Sequence, residues 1–239
     1  MEGKDFRDKF SDLRFNNNYH QYWLKGKQLT SVTKKINQFK SKFDAKKISK
    51  KVSEKEGLSQ KFVLDTWDCL REVSTSTGTA FHLYVELYLK HNYIWLKAPM
   101  QIHDQIKEFN KFWDKNKNKF TVIDCELMVY DEKHKIAGTI DCLVRNNKTG
   151  IYSIWDWKTN KEIKEFNDFS KLQGKLNYLD DSEFNIYSLQ ICIYTYLLQK
   201  AFPDLKFKKG SLIHFPYGKE YKIYPIKDLS NEAITILNA

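Results

Sequence analysis

A chain of 239 residues, 41% hydrophobic and 29% charged, can bury a sizeable core, and with only nine glycines and four prolines it is neither collagen-like nor of low complexity. Forty Lys and Arg against thirty Asp and Glu leave a formal charge of +10, which favours a polyanionic partner and says nothing about fold. No run approaches the ~18 apolar residues of a membrane span, the first ten residues lack the apolar centre of a secretory signal, and the expectation is a soluble intracellular protein with no membrane partner.

Residues 20–32 (HQYWLKGKQLTSV) set Gly26-Lys27 between two short apolar stretches and predict a β-hairpin. Residues 33–61 carry ten lysines against Asp44, Glu54 and Glu56. Ile36, Phe39, Phe43, Ile48 and Val52 recur there at helical steps, predicting a helix with a lysine-covered outside. That outside is either a solvated surface or one that tracks phosphates, and charge alone does not separate the two. Residues 62–119 stay helical: one helix is expected to open near Ser76 to Thr79 and run through FHLYVELYLKH. A second is expected over 103–113, with Ile106, Phe109, Phe112 and Trp113 as a core stripe.

After Phe120 the period changes to that of strands. Residues 121–130, 135–145 and 151–159 are apolar or alternating runs separated by the polar turns DEKH and NNKTG, predicting a three-strand meander. A helix over 183–200, β runs over 209–215 and 220–226, and a short tail helix complete the chain. The expected class is α/β: a mixed central β-sheet flanked by helices, preceded by a helical N-terminal lobe. Residues 1–119 form the hairpin and basic lobe and 120–239 the core, as one compact unit.

Asp156-Trp157-Lys158 ends the third meander strand. Residues i and i+2 of a strand share a face, so the carboxylate and the ammonium stand side by side after Tyr152 and Ile154. Alone, such a pair is a strand-end salt bridge. Asp141 on the preceding strand and Glu126 on the one before change that reading, because a meander would bring three carboxylates and one lysine together. Clustered carboxylates raise one another's pKa unless a cation compensates them, and an oxygen-rich set suits Mg²⁺ or Mn²⁺; the alternative is an ion-pair network on the sheet. In the helical lobe His82 and Glu86 lie four apart on one face, as do Gln190 and Tyr194 on the later helix. H-x-x-x-E is not the H-E-x-x-H of zinc proteases. The scattered cysteines (Cys69, Cys125, Cys142, Cys192) contain no C-x-x-C pair, so neither a structural zinc site nor a disulfide framework is expected.

The ordered set GTAFHLYVE (Gly78 to Glu86), Glu126, Gly138-Thr139-Ile140-Asp141, Asp156-Trp157-Lys158 and Gln190-x-x-x-Tyr194 resembles the RecB-like branch of the PD-(D/E)XK nucleases, which includes phage and viral exonucleases and the mitochondrial genome maintenance exonuclease. The likeness spans roughly residues 20–225, and Ile140 stands where the family has a proline. It implies a restriction-endonuclease-like fold and divalent-metal-dependent hydrolysis of DNA, preferring single strands or free ends. By this resemblance His82, Asp141, Asp156 and the Trp157 backbone carbonyl would hold Mg²⁺ or Mn²⁺, with Glu126 completing the site. Lys158 would orient or deprotonate the attacking water, Gln190 and Tyr194 would line the DNA channel and brace the site, and Glu86 would hold His82 or another ligand. A structure-specific endonuclease of the same fold and a non-catalytic nucleic-acid-binding module are the alternatives. The related iron–sulfur nucleases need a C-terminal group of cysteines, and none follows Cys192.

Overall fold

The computed structural model describes residues 2–94 and 97–239. Eight strands form one mixed sheet: β1 (Leu13–Asn16), β2 (Gln21–Leu24), β3 (Lys27–Ser31), β4 (Phe120–Asp131), β5 (Ile136–Asn146), β6 (Tyr152–Lys158), β7 (Ser211–His214) and β8 (Lys222–Pro225). Their order is β1-β2-β3-β5-β6-β7-β8, with β4 paired to the other edge of β5. The expected meander is β4-β5-β6, antiparallel throughout; β3 joins β5 and β7 joins β6 in parallel.

One feature of this order shapes the site. Along one edge β5 is paired by β4 from Asn146 to Ile136. Its other edge is shared: β3 pairs Ile136 and Ala137, and β6 pairs Cys142 to Arg145. Residues 138–141 lie between those two partners, where the sheet is split.

Helices α1 (Gly3–Lys9), α2 (Val32–Asn37), α6 (Glu183–Ala201) and α7 (Ser230–Leu237) cover one face, and α4 (Gln60–His91) and α5 (His103–Asn116) the other. β6 shows why its sequence is apolar without alternation: Tyr152 and Ile154 enter the α6 side, Trp155 and Trp157 the α4–α5 side. A strand buried on both faces reads as a continuous apolar run. The stripe expected on α5 is core, with Phe109 and Phe112 buried against Trp157 and Phe215.

The hairpin forms as expected through Lys25-Gly26, both at positive φ (49° and 77°), the backbone of a tight two-residue turn. It does not stand apart in an N-terminal lobe, because β3 continues the sheet. Helix α1, for which the sequence offered no expectation, buries Phe6 completely against Tyr152 and Phe202. The lysine-rich run is two helices, α2 and α3 (Ala45–Glu56), because Asp44 caps a fresh start by accepting from the Lys47 N–H. The helix expected to open near Ser76 opens at the Ser59 cap, making α4 32 residues long. Between Val63 and Phe81 no α4 residue is buried, so this half and the lysine-rich α3 that packs on it form an exposed helical arm. No helix among the described residues is long and apolar enough to cross a membrane.

Candidate metal centre

Cys125↔Cys142 and Leu127↔Ile140 pair across β4 and β5, which sets Glu126 opposite Asp141. Cys142↔Trp155 is the last regular pair between β5 and β6. One step beyond it Asp141 lies abreast of Asp156, so the three carboxylates form a row across the meander. Regular pairing stops there because a side chain takes over: the Trp157 N–H donates to Asp141 Oδ2 at 2.8 Å. Glu126 departs from strand geometry with φ of 51°. A left-handed backbone at a residue other than glycine costs about 1–2 kcal/mol, and such strain concentrates at functional sites.

His82 comes to this row from the buried half of α4. Its Nδ1 lies 3.5 Å from Glu126 Oε1 and 3.7 Å from Asp141 Oδ2. Its Nε2 lies 3.1 Å from the Trp157 carbonyl oxygen, an arrangement in which the imidazole donates to the carbonyl. The Trp157 peptide therefore holds two members at once, Asp141 through its N–H and His82 through its C=O. Ligand atoms of His82, Glu126 and Asp141 all lie within 4.8 Å of one another. Burial alone would lower the His82 pKa, but Asp141 and Glu126 outweigh it and push it up to about 9. The positive ring offsets the charge of the two carboxylates that face it. Desolvation raises the Asp141 pKa in turn, against the pull of His82 and Lys158.

Asp156 is not in that three-residue set. It is 3% exposed and ion-paired with Lys158. Its Oδ2 is the oxygen that faces the Lys158 ammonium. Desolvation is the chief reason its pKa is pushed up to about 6, with Asp141 adding to it and Lys158 opposing. Burial would strip the proton from Lys158, yet Asp156 and Asp141 hold its pKa above the ordinary ammonium range. Lys158 is thus a fixed cation rather than a ready base. It also sits over the Tyr187 ring, 4.5 Å from the centroid, a contact that no sequence spacing announced.

The remaining expected residues take supporting positions. Tyr194 is 4% exposed and lies behind the split in β5, where a Cβ on Gly138 would meet its ring and hydroxyl at 2.6 Å. Gln190 Nε2 donates to the Tyr194 hydroxyl at 3.4 Å. Tyr194 is too buried to line a channel, so the pair braces the floor of the site and that part of the expectation is corrected. Glu86 does not hold His82: it accepts from Lys90 at 2.6 Å, and Lys90 lies 3.8 Å from Asp124. Asp124 is itself gripped by Arg7, which removes it from the site and leaves Glu126 as the free acid of the Asp124-Cys125-Glu126 run. Thr139, in the split, meets the Tyr22 hydroxyl at 2.9 Å and ties the hairpin to the floor. The Trp157 carbonyl, expected as a ligand, serves here to orient the imidazole.

Two clefts open on His82. One, of about 780 Å³, is lined by Lys158, Thr159, Asn160, Lys161, Tyr217 and Lys219 among others. The second, of about 540 Å³, lies against Glu86, Glu126, Met128 and Thr139. The donor set fits a hard divalent cation. Ligands about 2.1 Å from one ion stand roughly 3–4 Å apart, as the His82 contacts do, and Asp156 stands next in the row, ion-paired with Lys158. One imidazole among carboxylates suits Mn²⁺ at least as well as Mg²⁺. No protein-family profile matches the chain, and comparison with curated proteins finds no relative.

Proposed function

We propose that this chain is a metal-dependent phosphodiesterase acting on DNA, a nuclease of the PD-(D/E)XK superfamily in its RecB-like branch, working on single strands or free ends. The mixed sheet flanked by helices is consistent with the restriction-endonuclease-like fold of that group. The observation that carries the reading is the convergence of His82, Glu126 and Asp141 beside Asp156 and Lys158, at the meeting of two clefts.

Hydrolysis of a phosphodiester joins a water oxygen to phosphorus and breaks a phosphorus–oxygen bond to the sugar. The water's proton ends on the departing oxygen. His82, Glu126 and Asp141 would hold Mg²⁺ or Mn²⁺, with Asp156 adjacent; bound there, the ion lowers the pKa of water and offsets charge on the phosphate. Lys158, held cationic by Asp156 and Asp141, stabilises the negative charge that builds on the phosphate oxygens and orients the water. His82 keeps one ring orientation because its Nε2–H is spent on the Trp157 carbonyl, which leaves Nδ1 for the ion. The Trp157 N–H fixes Asp141 in the same way.

The test is digestion of end-labelled DNA, single- and double-stranded, linear and circular, with Mn²⁺, Mg²⁺ or EDTA. Metal-dependent loss of label from linear single strands, with circles intact, is the expected result. Cut circles point to the endonuclease of the same fold. Retention of all substrates intact in Mn²⁺, with DNA still bound, overturns the nuclease reading in favour of a binding module.

A further inference from the structure

The two clefts that meet at His82 differ in charge. The larger cleft carries Lys158, Lys161 and Lys219 and no acidic residue among those that line it. The smaller carries Glu86 and Glu126 and neither lysine nor arginine among the described residues lining it. Lys158 is committed to Asp156, but Lys161 and Lys219 are exposed and neither has a salt-bridge partner among the described residues. Two unpaired ammonium groups at the mouth of a concave cleft are a complement to successive phosphates.

The walls add what a base would need. Tyr217 is 69% exposed and lines the larger cleft, whereas Tyr187 is covered by Lys158 and Trp157 is buried. Tyr217 is therefore the free aromatic face. Gln105, 1% exposed, and Asn160 also line this cleft, and the side-chain oxygen of each is buried without a hydrogen-bond partner. Unpaired buried acceptors are costly, and the amino edge of a base supplies donors. The exposed half of α4 reaches the same cleft through Val73, Ser74 and Thr77. A volume of about 780 Å³ lies within the roughly 300–1,000 Å³ of small-ligand pockets. It has room for a few nucleotides of one strand and not for a double helix.

We infer that the larger cleft is the seat of the single strand, with one base stacked on Tyr217 and flanking phosphates on Lys161 and Lys219, and that the smaller cleft takes no part in holding it. The inference rests on the nuclease reading for the position of the scissile bond, but strand seating can be measured without cleavage.

The experiment is fluorescence anisotropy of a short labelled oligodeoxycytidylate in EDTA, on the full chain, across a salt series. Tyr217→Ala is expected to weaken binding about tenfold, the loss of one base–aromatic stack. Lys161→Ala with Lys219→Ala lowers the slope of log affinity against log salt by about 1.4, at ~0.7 per phosphate on single strands. Asn17→Ala with His20→Ala, in the smaller cleft, changes affinity less than about twofold, and a blunt duplex competes poorly. Circular dichroism checks that each exposed substitution leaves the fold intact. Unchanged affinity and salt slope in the Tyr217 and lysine variants, or an equal loss from the smaller cleft, overturns the inference even if the chain digests DNA. Seating as described without digestion in Mn²⁺ sinks the nuclease reading alone.

Discussion

Gly138→Ala is a test of how tightly the floor of the site is built. The backbone there is in a conformation that alanine can adopt, so the cost is one of space. The added Cβ would lie 2.6 Å from both Cε1 and the hydroxyl oxygen of Tyr194. Carbon–carbon contacts are comfortable at about 3.5–4.0 Å, so one partner must move by about 1 Å. β5 cannot yield freely, because Gly138 is paired with Val129 on β4. Tyr194 cannot either, being buried on α6 with its hydroxyl engaged by Gln190. Overpacking of this kind costs about 1–3 kcal/mol, and the stiffer unfolded chain returns at most about 1. A net loss of about 1–2 kcal/mol lowers the melting temperature by about 2–8 °C in a chain of this size. Because Asp141 follows three residues later, cleavage should fall as well. Thermal unfolding followed by circular dichroism provides the number. In a Tyr194→Leu background the same substitution should cost much less, because the clashing ring is gone. A Gly138→Ala protein with wild-type stability, or a cost that persists in that background, refutes the steric reasoning.

Lys158→Ala should reduce cleavage by at least about a hundredfold while strand affinity in EDTA falls less than about threefold, since its charge is spent on Asp156 in the resting site; retention of near wild-type cleavage contradicts its role. Metal-free stability should fall as pH rises. His82, with its pKa raised above the unfolded value, contributes stability in full below about 6.5 that is lost through about 9; Asp156, also raised, contributes below about 3.8 what is lost through about 6. Urea unfolding in EDTA at pH 6.5 and 9 should show the His82 part, a few kcal/mol at most, and His82→Gln should flatten it; stability rising over that range contradicts the cluster's electrostatics. Mn²⁺ should restore stability most at the higher pH, because it replaces the proton.

Much of this site was legible because β periodicity is rigid. Once 121–130, 135–145 and 151–159 are strands, the side-chain period of two and the short turns put Glu126, Asp141 and Asp156 in one row. His82 was legible only through the ordered motif that contains it, since a lone histidine on a helix is as well explained by packing. Three things lay beyond sequence reasoning for physical reasons. Glu126 adopts a left-handed backbone, which its residue type disfavours, so no propensity announces it. Glu86 stands four residues from both His82 and Lys90; it pairs with Lys90 at 2.6 Å, while the His82 ring is turned to Glu126, Asp141 and the Trp157 carbonyl. Asp156 turned to Lys158 because the two share a strand face, and that pairing separates it from the three residues gathered on His82. Helix α1 was missed because its seven residues show a charged surface with one buried anchor, Phe6, too short a pattern to carry a helical period.

The proposed site is a cation held jointly by an imidazole from α4 and carboxylates from β4 and β5. Crystals soaked in Mn²⁺ and measured for anomalous scattering address that directly. A single strong peak within about 2.0–2.3 Å of His82 Nδ1 and of carboxylate oxygens from Glu126 and Asp141, with Asp156 near it, is the predicted result. Absence of a peak there at saturating Mn²⁺, with the three side chains still gathered as described, contradicts it.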